Sequence, residues 1–350
     1  MPYSGFDLII AGPCSAESEK LCIDVAGDLV AGGHVDLFRA GVWKPRSLSG
    51  MYEGPGEEGL KYLLAVRDRF KLPLITEVAT ANHVEAVLKN EIDAVWIGAR
   101  TVTDPFSVEE LANALGKSNI RVFVKNPLVP DIKLWIGAVE RLMNKNVNVE
   151  AVIHRGFVTY SAGKYRNEPL WFMMAEIRNR FPNIKIIADP SHIAGNSKYI
   201  SEIAAQAKEM EVEGLMIEVH SNPSKALSDA LQQITPKDFA ALIQSLSKTE
   251  VSYLKNTSLE LLRKDIDDID LKLLQLFAQR FEIVNKMGVL KRDSGMTIMQ
   301  GQRWSNLVEN RLKQALELGI NVDFVKELLK VVHDESIRIQ LSVNDEKKKE

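Results

Sequence analysis

Residues 185–192 read KIIADPSH: a short apolar run that stops at an acid, a proline, a serine and a histidine. Seven further runs share this grammar, among them DLIIAGP, DLFRAGV, PLITEV, AVWIGA, RVFVKN, VEAVIHRG and GLMIEVH. They are continuous rather than alternating, as expected of parallel strands covered on both faces. Helical stretches such as GLKYLLAVRDRF and ANHVEAVLKN fall between them. Eight β-α units within the first 246 residues predict a (β/α)8 TIM barrel. A doubly wound sheet is the competing α/β architecture, but no strand leads into a Gly-rich dinucleotide loop.

The grammar changes after SLSKTEVSYLKN. Residues 247–257 read as a linker. Residues 258–350 contain no proline and no strand pattern. A helix is predicted from Ser258 to Asp293, roughly 50 Å long at 1.5 Å per residue. A second runs from Gln302 to Leu318 and stops at Gly319, and a third from Asp323 to Val343. Three helices are too thin to bury so long a first one, so this small all-α domain is expected to dimerise.

The chain has 350 residues, a net charge of −3 and 45% hydrophobic residues. No global basic field points to nucleic acid. No apolar stretch reaches the roughly 18 residues of a membrane helix. The first residues carry no basic segment before their apolar run, unlike a secretion signal. Cys14 and Cys22 are too few for a disulfide framework. A cytoplasmic protein is expected.

Barrel enzymes place their chemistry at the C-terminal ends of the strands. In chain order those ends present Cys14, then Arg39, Lys44 and Arg46, then Glu77, Arg100, Lys125, Arg155, His192 and Glu218, with Asp229 in the loop after the last. A single arginine there is as readily a solvated loop charge, but a full set tracking the strand ends is not. Cys14, His192, Glu218 and Asp229 mix thiolate, imidazole and carboxylate, which suits a divalent transition metal with open positions. Six cations on one face would repel one another without a highly anionic ligand, such as two phosphorylated substrates.

The motifs AGPCSAES, RAGVWKPRS, IGART, VKNP, HRGF, DPSH, IEVH and ALSDALQQIT resemble the metal-dependent synthases of 3-deoxy-D-arabino-heptulosonate 7-phosphate (DAHP), in their short, octulosonate-synthase-like branch. The resemblance implies condensation of phosphoenolpyruvate with erythrose 4-phosphate. It implies a divalent metal ion such as Mn2+ on Cys14, His192, Glu218 and Asp229. It places Arg39, Lys44, Arg100, Lys125 and Arg155 around phosphoenolpyruvate, and Arg46 and Ser47 on the erythrose phosphate. Lys44 and Lys125 count among the catalytic groups, and Glu77 would orient the attacking water. The stretch KPRS, where octulosonate synthases carry an Asn-containing stretch, favours the four-carbon sugar.

The long helix carries an anomaly. Leu262, Ile266, Ile269, Leu273, Val284 and Met287 form one apolar stripe, with Arg280 and Lys291 in its middle, about 20° apart on a helical wheel. Cations there are unfavourable unless an anion meets them. Arg263 lies about 25 Å from Arg280 along the helix, too far for one small ligand on one chain. An antiparallel second protomer would bring it there. Ser336 and Gln340 continue the stripe of Val325, Leu329 and Val332 on the third helix.

LLRKDIDDIDLKLLQLFAQR, followed by Lys291, Arg303, Ser336 and Gln340, resembles the all-helical class of chorismate mutase. That resemblance implies an intertwined homodimer. Arg263, Arg280, Lys291, Arg303, Ser336 and Gln340 would bind chorismate, with Arg280, Lys291 and Gln340 stabilising the breaking ether. The residue after Arg303 is usually an acid or amide that holds the substrate hydroxyl; here it is Trp304, and Gln300 stands where an acid is common. A bifunctional enzyme is therefore expected, whose helical domain also exerts feedback through prephenate or chorismate. The alternative keeps the barrel catalytic and makes the helical domain a ligand sensor and dimeriser.

Overall fold

The structure, a computed structural model, describes residues 5–33, 35–45, 50–159, 163–247, 257–299 and 301–346; side chains at 257–261 and 344–346 fall outside it. The chain forms two compact units, residues 1–251 and 252–350. Most of the expected linker lies outside the described residues.

In the first unit, strands β1 (Leu8–Gly12), β2 (Leu37–Arg39), β3 (Leu74–Val78), β4 (Ala94–Ile97), β5 (Arg121–Lys125), β6 (Val149–His154), β7 (Lys185–Ala188) and β8 (Gly214–Glu218) pair in sequence order into a closed barrel. Every pair is parallel, and β8 returns to β1 with Leu8 opposite Gly214 and Gly12 opposite Glu218. Their continuous apolar character has a two-sided cause. Ile10, Leu37, Ile75, Trp96, Phe123, Ile153, Ile187 and Met216 fill the barrel interior. Their sequence neighbours, such as Ile9, Phe38, Val95, Val124, Val152, Ile186 and Leu215, pack outward against the helices. Truncating the fully buried Trp96 would cost about 3–5 kcal/mol.

Helix boundaries follow local chemistry. Ser18, Thr80, Asp104 and Asp131 each accept a backbone N–H at the start of a barrel helix. The stretch ADPSH turns directly into a short helix, Pro190–Ala194, with Asp189 as its cap and proline at its first position. His192 therefore sits within a helical turn rather than on an open loop after β7.

In the second unit the helices span Thr257–Asp293, Gly301–Glu317 and Val322–Glu346, within three residues of the expected ends. The long helix packs on the third at Gly288, where an added Cβ would lie 3.3 Å from the Cα and Cγ of Gln340. Val284 is buried there, whereas Leu262, Ile266, Ile269 and Leu273 are each about half exposed, at 48–59%. Among the described residues no helix is long and apolar enough to cross a membrane.

Candidate functional site

The strand ends open into a cleft lined by Lys44, Pro45, Glu77, Gly98, Arg100, Lys125, Leu128, Arg155, Arg166, Asn167, His192 and Asp229 among others. Seven of the residues singled out from the sequence meet there. Cys14, Arg39 and Glu218 lie beneath, with no solvent exposure. Arg46 and Ser47 lie outside the described residues.

The cleft's shape rests on one missing side chain. A Cβ on Gly98 would sit 2.1 Å from Glu77 Oε1, so any other residue at the end of β4 would push this carboxylate aside. Below it, Trp96 forms a plate. The Arg39 guanidinium lies 4.8 Å from the ring centroid and the Lys125 ammonium 5.7 Å.

The histidine of DPSH is held from two sides. Asp189 Oδ1 accepts its backbone N–H at 3.1 Å. Asp189 Oδ2 lies 2.8 Å from His192 Nδ1, a close but poorly aligned pairing, and accepts from Lys125 Nζ at 2.8 Å. Nε2 is left facing Glu218 Oε1 at 3.8 Å. Burial lowers the His192 pKa, with Asp189 opposing and Lys125 adding to the effect. A neutral imidazole oriented by a carboxylate is the form that ligates metals. Ser191 completes the stretch by accepting the N–H of Glu218 at 2.9 Å, tying β7 to β8.

On the other side, Cys14 Sγ donates to Asp229 Oδ2 at 3.3 Å. The loop carrying Asp229 is stapled to the first strand's loop: Gln233 Oε1 accepts from Cys14 N at 3.0 Å, and Ser15 Oγ meets Ser228 Oγ at 2.7 Å. Asp229 itself adopts a left-handed backbone, φ 47°, which a short acidic side chain tolerates. Burial pushes the Cys14 thiol up to about 12, Glu218 and Asp229 adding to it and Lys44 and Arg39 opposing. Burial would also raise Glu218 and Asp229, but His192 and the nearby cations outweigh it and hold both carboxyls below the usual range.

The four candidate metal ligands thus stand as two adjacent pairs, Cys14–Asp229 and His192–Glu218. Among the described residues no group of three or more such side chains converges on one point. Their chemistry nonetheless fits a divalent ion. The set offers one thiol, one neutral imidazole and two ionised carboxylates, and Glu218 Oε1 is buried without a well-formed hydrogen bond. A cation would also ionise the thiol, as coordination does.

The cations differ from the sequence expectation of six unbalanced charges on one face. Arg39 Nη2 lies 3.1 Å from Glu218 Oε1, and Lys125 is paired to Asp189. Counter-charges on distant strands are invisible to a reading of strand ends. Lys44 Nζ donates to the Cys14 carbonyl at 3.0 Å. Arg155 remains the costly one. Its guanidinium is buried on neutral acceptors, Asn167 Oδ1 at 3.0 Å and the Gly156 carbonyl at 3.2 Å. Burial lowers its pKa to about 10, which an incoming anion would offset.

Several contributors escaped the strand-end reading. Asp189 bridges Lys125 and His192. Asn167 donates to the His192 carbonyl at 2.6 Å, and Arg166 donates to Asp229 at 3.3 Å and to Gln232 at 2.8 Å. Asn126 accepts the Arg155 N–H at 2.7 Å, giving VKNP its asparagine. For Asp189 the helix-cap signal of Asp-Pro was available; nothing in the sequence marks Arg166 or Asn167.

In the helical unit, Arg280 Nη1 donates to Ser336 Oγ at 2.6 Å across the two packed helices. Gln340 Nε2 donates to the Ser336 carbonyl at 3.1 Å, while its Oε1 is buried without a partner among the described residues. Lys291 Nζ donates to the Ile298 carbonyl at 2.6 Å. Arg263 and Arg303 are exposed. One chain therefore brings Arg280, Ser336 and Gln340 into direct contact and leaves Arg263 and Arg303 at the surface.

Together these features define a class: a (β/α)8 barrel with cations and metal-type donors at its strand ends, joined to a helical module in which Arg280 bridges two packed helices. Residues 5–255 match the DAHP synthetase I family, and residues 262–341 match chorismate mutase type II. The chain is similar to phospho-2-dehydro-3-deoxyheptonate aldolase of Thermotoga maritima, 29% identical over 245 residues, covering 70% of each protein. It is similar to 2-dehydro-3-deoxyphosphooctonate aldolase of Fusobacterium nucleatum subsp. nucleatum, 28% identical over 261 residues, covering 68% of this chain and 88% of that one. The crystal structure of the T. maritima DAHP synthase superposes with a TM-score of 0.63 at 30% identity, covering 70% of this chain and 69% of that one.

The chain belongs to the DAHP synthetase I family. It is a fusion of a DAHP synthase with a chorismate mutase domain, and an enzyme with both activities.

Proposed function

We propose that one cytoplasmic protein carries out both reactions at the two sites described, residues 1–246 and 258–350 acting as separate domains across a linker. The observation that carries this reading is the convergence of Lys44, Glu77, Arg100, Lys125, Arg155, His192 and Asp229 on one cleft, with Cys14, Arg39 and Glu218 buried beneath it.

In the barrel, Arg100, Lys125 and Arg155 hold the phosphate and carboxylate of phosphoenolpyruvate, with Lys44 at the cleft wall and Arg39 below. Arg46 and Ser47 take the phosphate of erythrose 4-phosphate. Fixing both anions brings the methylene carbon and the aldehyde into reacting geometry. Glu77, which the absent side chain of Gly98 leaves room for, orients the water that adds to the neighbouring carbon. Cys14, His192, Glu218 and Asp229 hold a divalent ion, Mn2+ foremost, which when bound polarises the aldehyde oxygen. Asp189 positions His192 and Lys125 together.

In the helical unit, Arg280, Lys291, Arg303, Ser336 and Gln340 bind chorismate with Arg263 of the partner subunit. The exposed apolar half of the long helix supports a second copy of this chain as its cover, since Leu262, Ile266, Ile269 and Leu273 lie on one stripe with Arg263 beside them. The pocket holds the reactive conformer and stabilises charge on the breaking ether, with no covalent step. Occupancy by prephenate or chorismate orders the dimer and restrains the barrel, which gives feedback control.

Metal analysis with both assays tests the reading. Chelator is expected to abolish DAHP formation, a divalent transition ion to restore it, and Cys14→Ser to bind that ion more weakly. Full synthase activity in chelator would overturn the metal assignment.

A further inference from the structure

The carboxylate or amide that would hold the substrate hydroxyl after Arg303 is absent, and Trp304 stands there. Its indole lies on the imidazole of His333, ring centroids 3.9 Å apart and planes 20° from parallel. His333 is one helical turn before Ser336, the acceptor of Arg280, and residues three apart share a helix face. His333 Nε2 is buried, with no hydrogen-bond partner among the described residues. Burial lowers the pKa of the ring; the charges of Arg280 and Lys291 lower it further, while Asp334 opposes them. The imidazole is therefore neutral near pH 7.

We propose that His333, fixed by the face of Trp304, recognises the ring hydroxyl of chorismate in place of the missing carboxylate. A neutral imidazole can donate to or accept from a hydroxyl. It does so without adding negative charge beside a substrate with two carboxylates. Stacking fixes the ring plane. A buried nitrogen left unpartnered is unfavourable, and the substrate hydroxyl removes that cost. The inference rests on the pocket placement proposed above.

The test is mutase kcat/KM in the whole protein for chorismate and for the analogue whose ring hydroxyl is replaced by hydrogen. His333→Phe keeps an aromatic stack and removes both nitrogens. It is expected to lower kcat/KM for chorismate about tenfold and leave the analogue unchanged. His333→Gln is expected to recover part of the loss. Should His333→Phe lose helical signal, His333→Leu carries the same expectation. Unchanged chorismate turnover, or an equal loss on both substrates, would overturn the role. Arg280→Ala separates the two levels: if it leaves both substrates unaffected, the pocket itself is misplaced and the inference falls with it.

Discussion

The barrel and the helical unit solve the problem of holding anions in opposite ways. The barrel closes on itself. Its strands pair from β1 round to β8, and each delivers its functional group to one end of a core that is already complete. Counter-charges such as Asp189 and Glu218 are supplied from within, so Lys125 and Arg39 are buried as pairs. The helical unit has no such closure. Among the described residues Arg280 meets the Ser336 hydroxyl and the face of Phe281 rather than a carboxylate, and half of the long helix shows its apolar stripe. A closed fold can build its site from one chain; the open helical unit, on the proposed reading, draws on a second copy.

Single charges separate the two regions most sharply. Arg280→Ala is expected to lower mutase kcat/KM on the order of a hundredfold or more while DAHP formation continues. Arg100→Ala is expected to do the reverse. Paired assays on each variant check this, and loss of both activities from either change would erase the division. Gly98→Ala probes the barrel's tight construction. Its Cβ would displace Glu77, and a shift of that size lowers synthase turnover roughly ten- to a hundredfold. Unchanged turnover would show that Glu77 has no positional role.

A smaller effect connects the regions. Prephenate is expected to slow the synthase of the intact protein, and Arg280→Ala to remove that response. By reciprocity, the barrel substrates should weaken prephenate binding, as calorimetry with and without them would show. An Arg280→Ala protein that remains fully inhibited would place the effector elsewhere.

A separate expected effect is on acid stability, and it belongs to the barrel alone. His154 is fully buried among Trp135, Phe157 and Trp171, and neither ring nitrogen makes a well-aligned hydrogen bond. Burial lowers its pKa to about 4, with the Pro169 carbonyl opposing. Between that value and the ordinary 6.5 the unfolded chain binds the proton and the folded one does not. Stability is therefore lost as pH falls through this window, by at most about 3 kcal/mol. His154→Phe is expected to flatten that limb in denaturant melts at pH 4.5 and 7; an unchanged slope would assign it to other groups.

How much of this was legible beforehand follows the same contrast. Parallel strands announce themselves as apolar runs because both faces are buried, and their ends are marked by the first polar residue, so Glu77, Arg100, Lys125 and His192 could be named in order. Residues supplied by loops far from those ends could not. Arg166 and Asn167 come from a stretch with no periodicity, and the partnering of Arg39 with Glu218 joins strands nearly the whole barrel apart in sequence. The wheel position of Arg280 showed a cation on an apolar face, but not that Ser336 would meet it. The stacking of Trp304 on His333 joins two helices, and no single-helix pattern reveals it.

Complementation tests the contrast most directly. Arg263→Ala and Arg280→Ala chains, each without mutase activity, are co-expressed and the mixed dimers assayed. If each pocket draws Arg263 from one chain and Arg280 from the other, a mixed dimer has one intact pocket. Random pairing then restores about a quarter of the parent mutase activity. Arg100→Ala mixed with Lys125→Ala should restore no DAHP formation, because both residues serve the same barrel. Mutase activity that stays absent on mixing, or synthase activity that returns, would contradict the account.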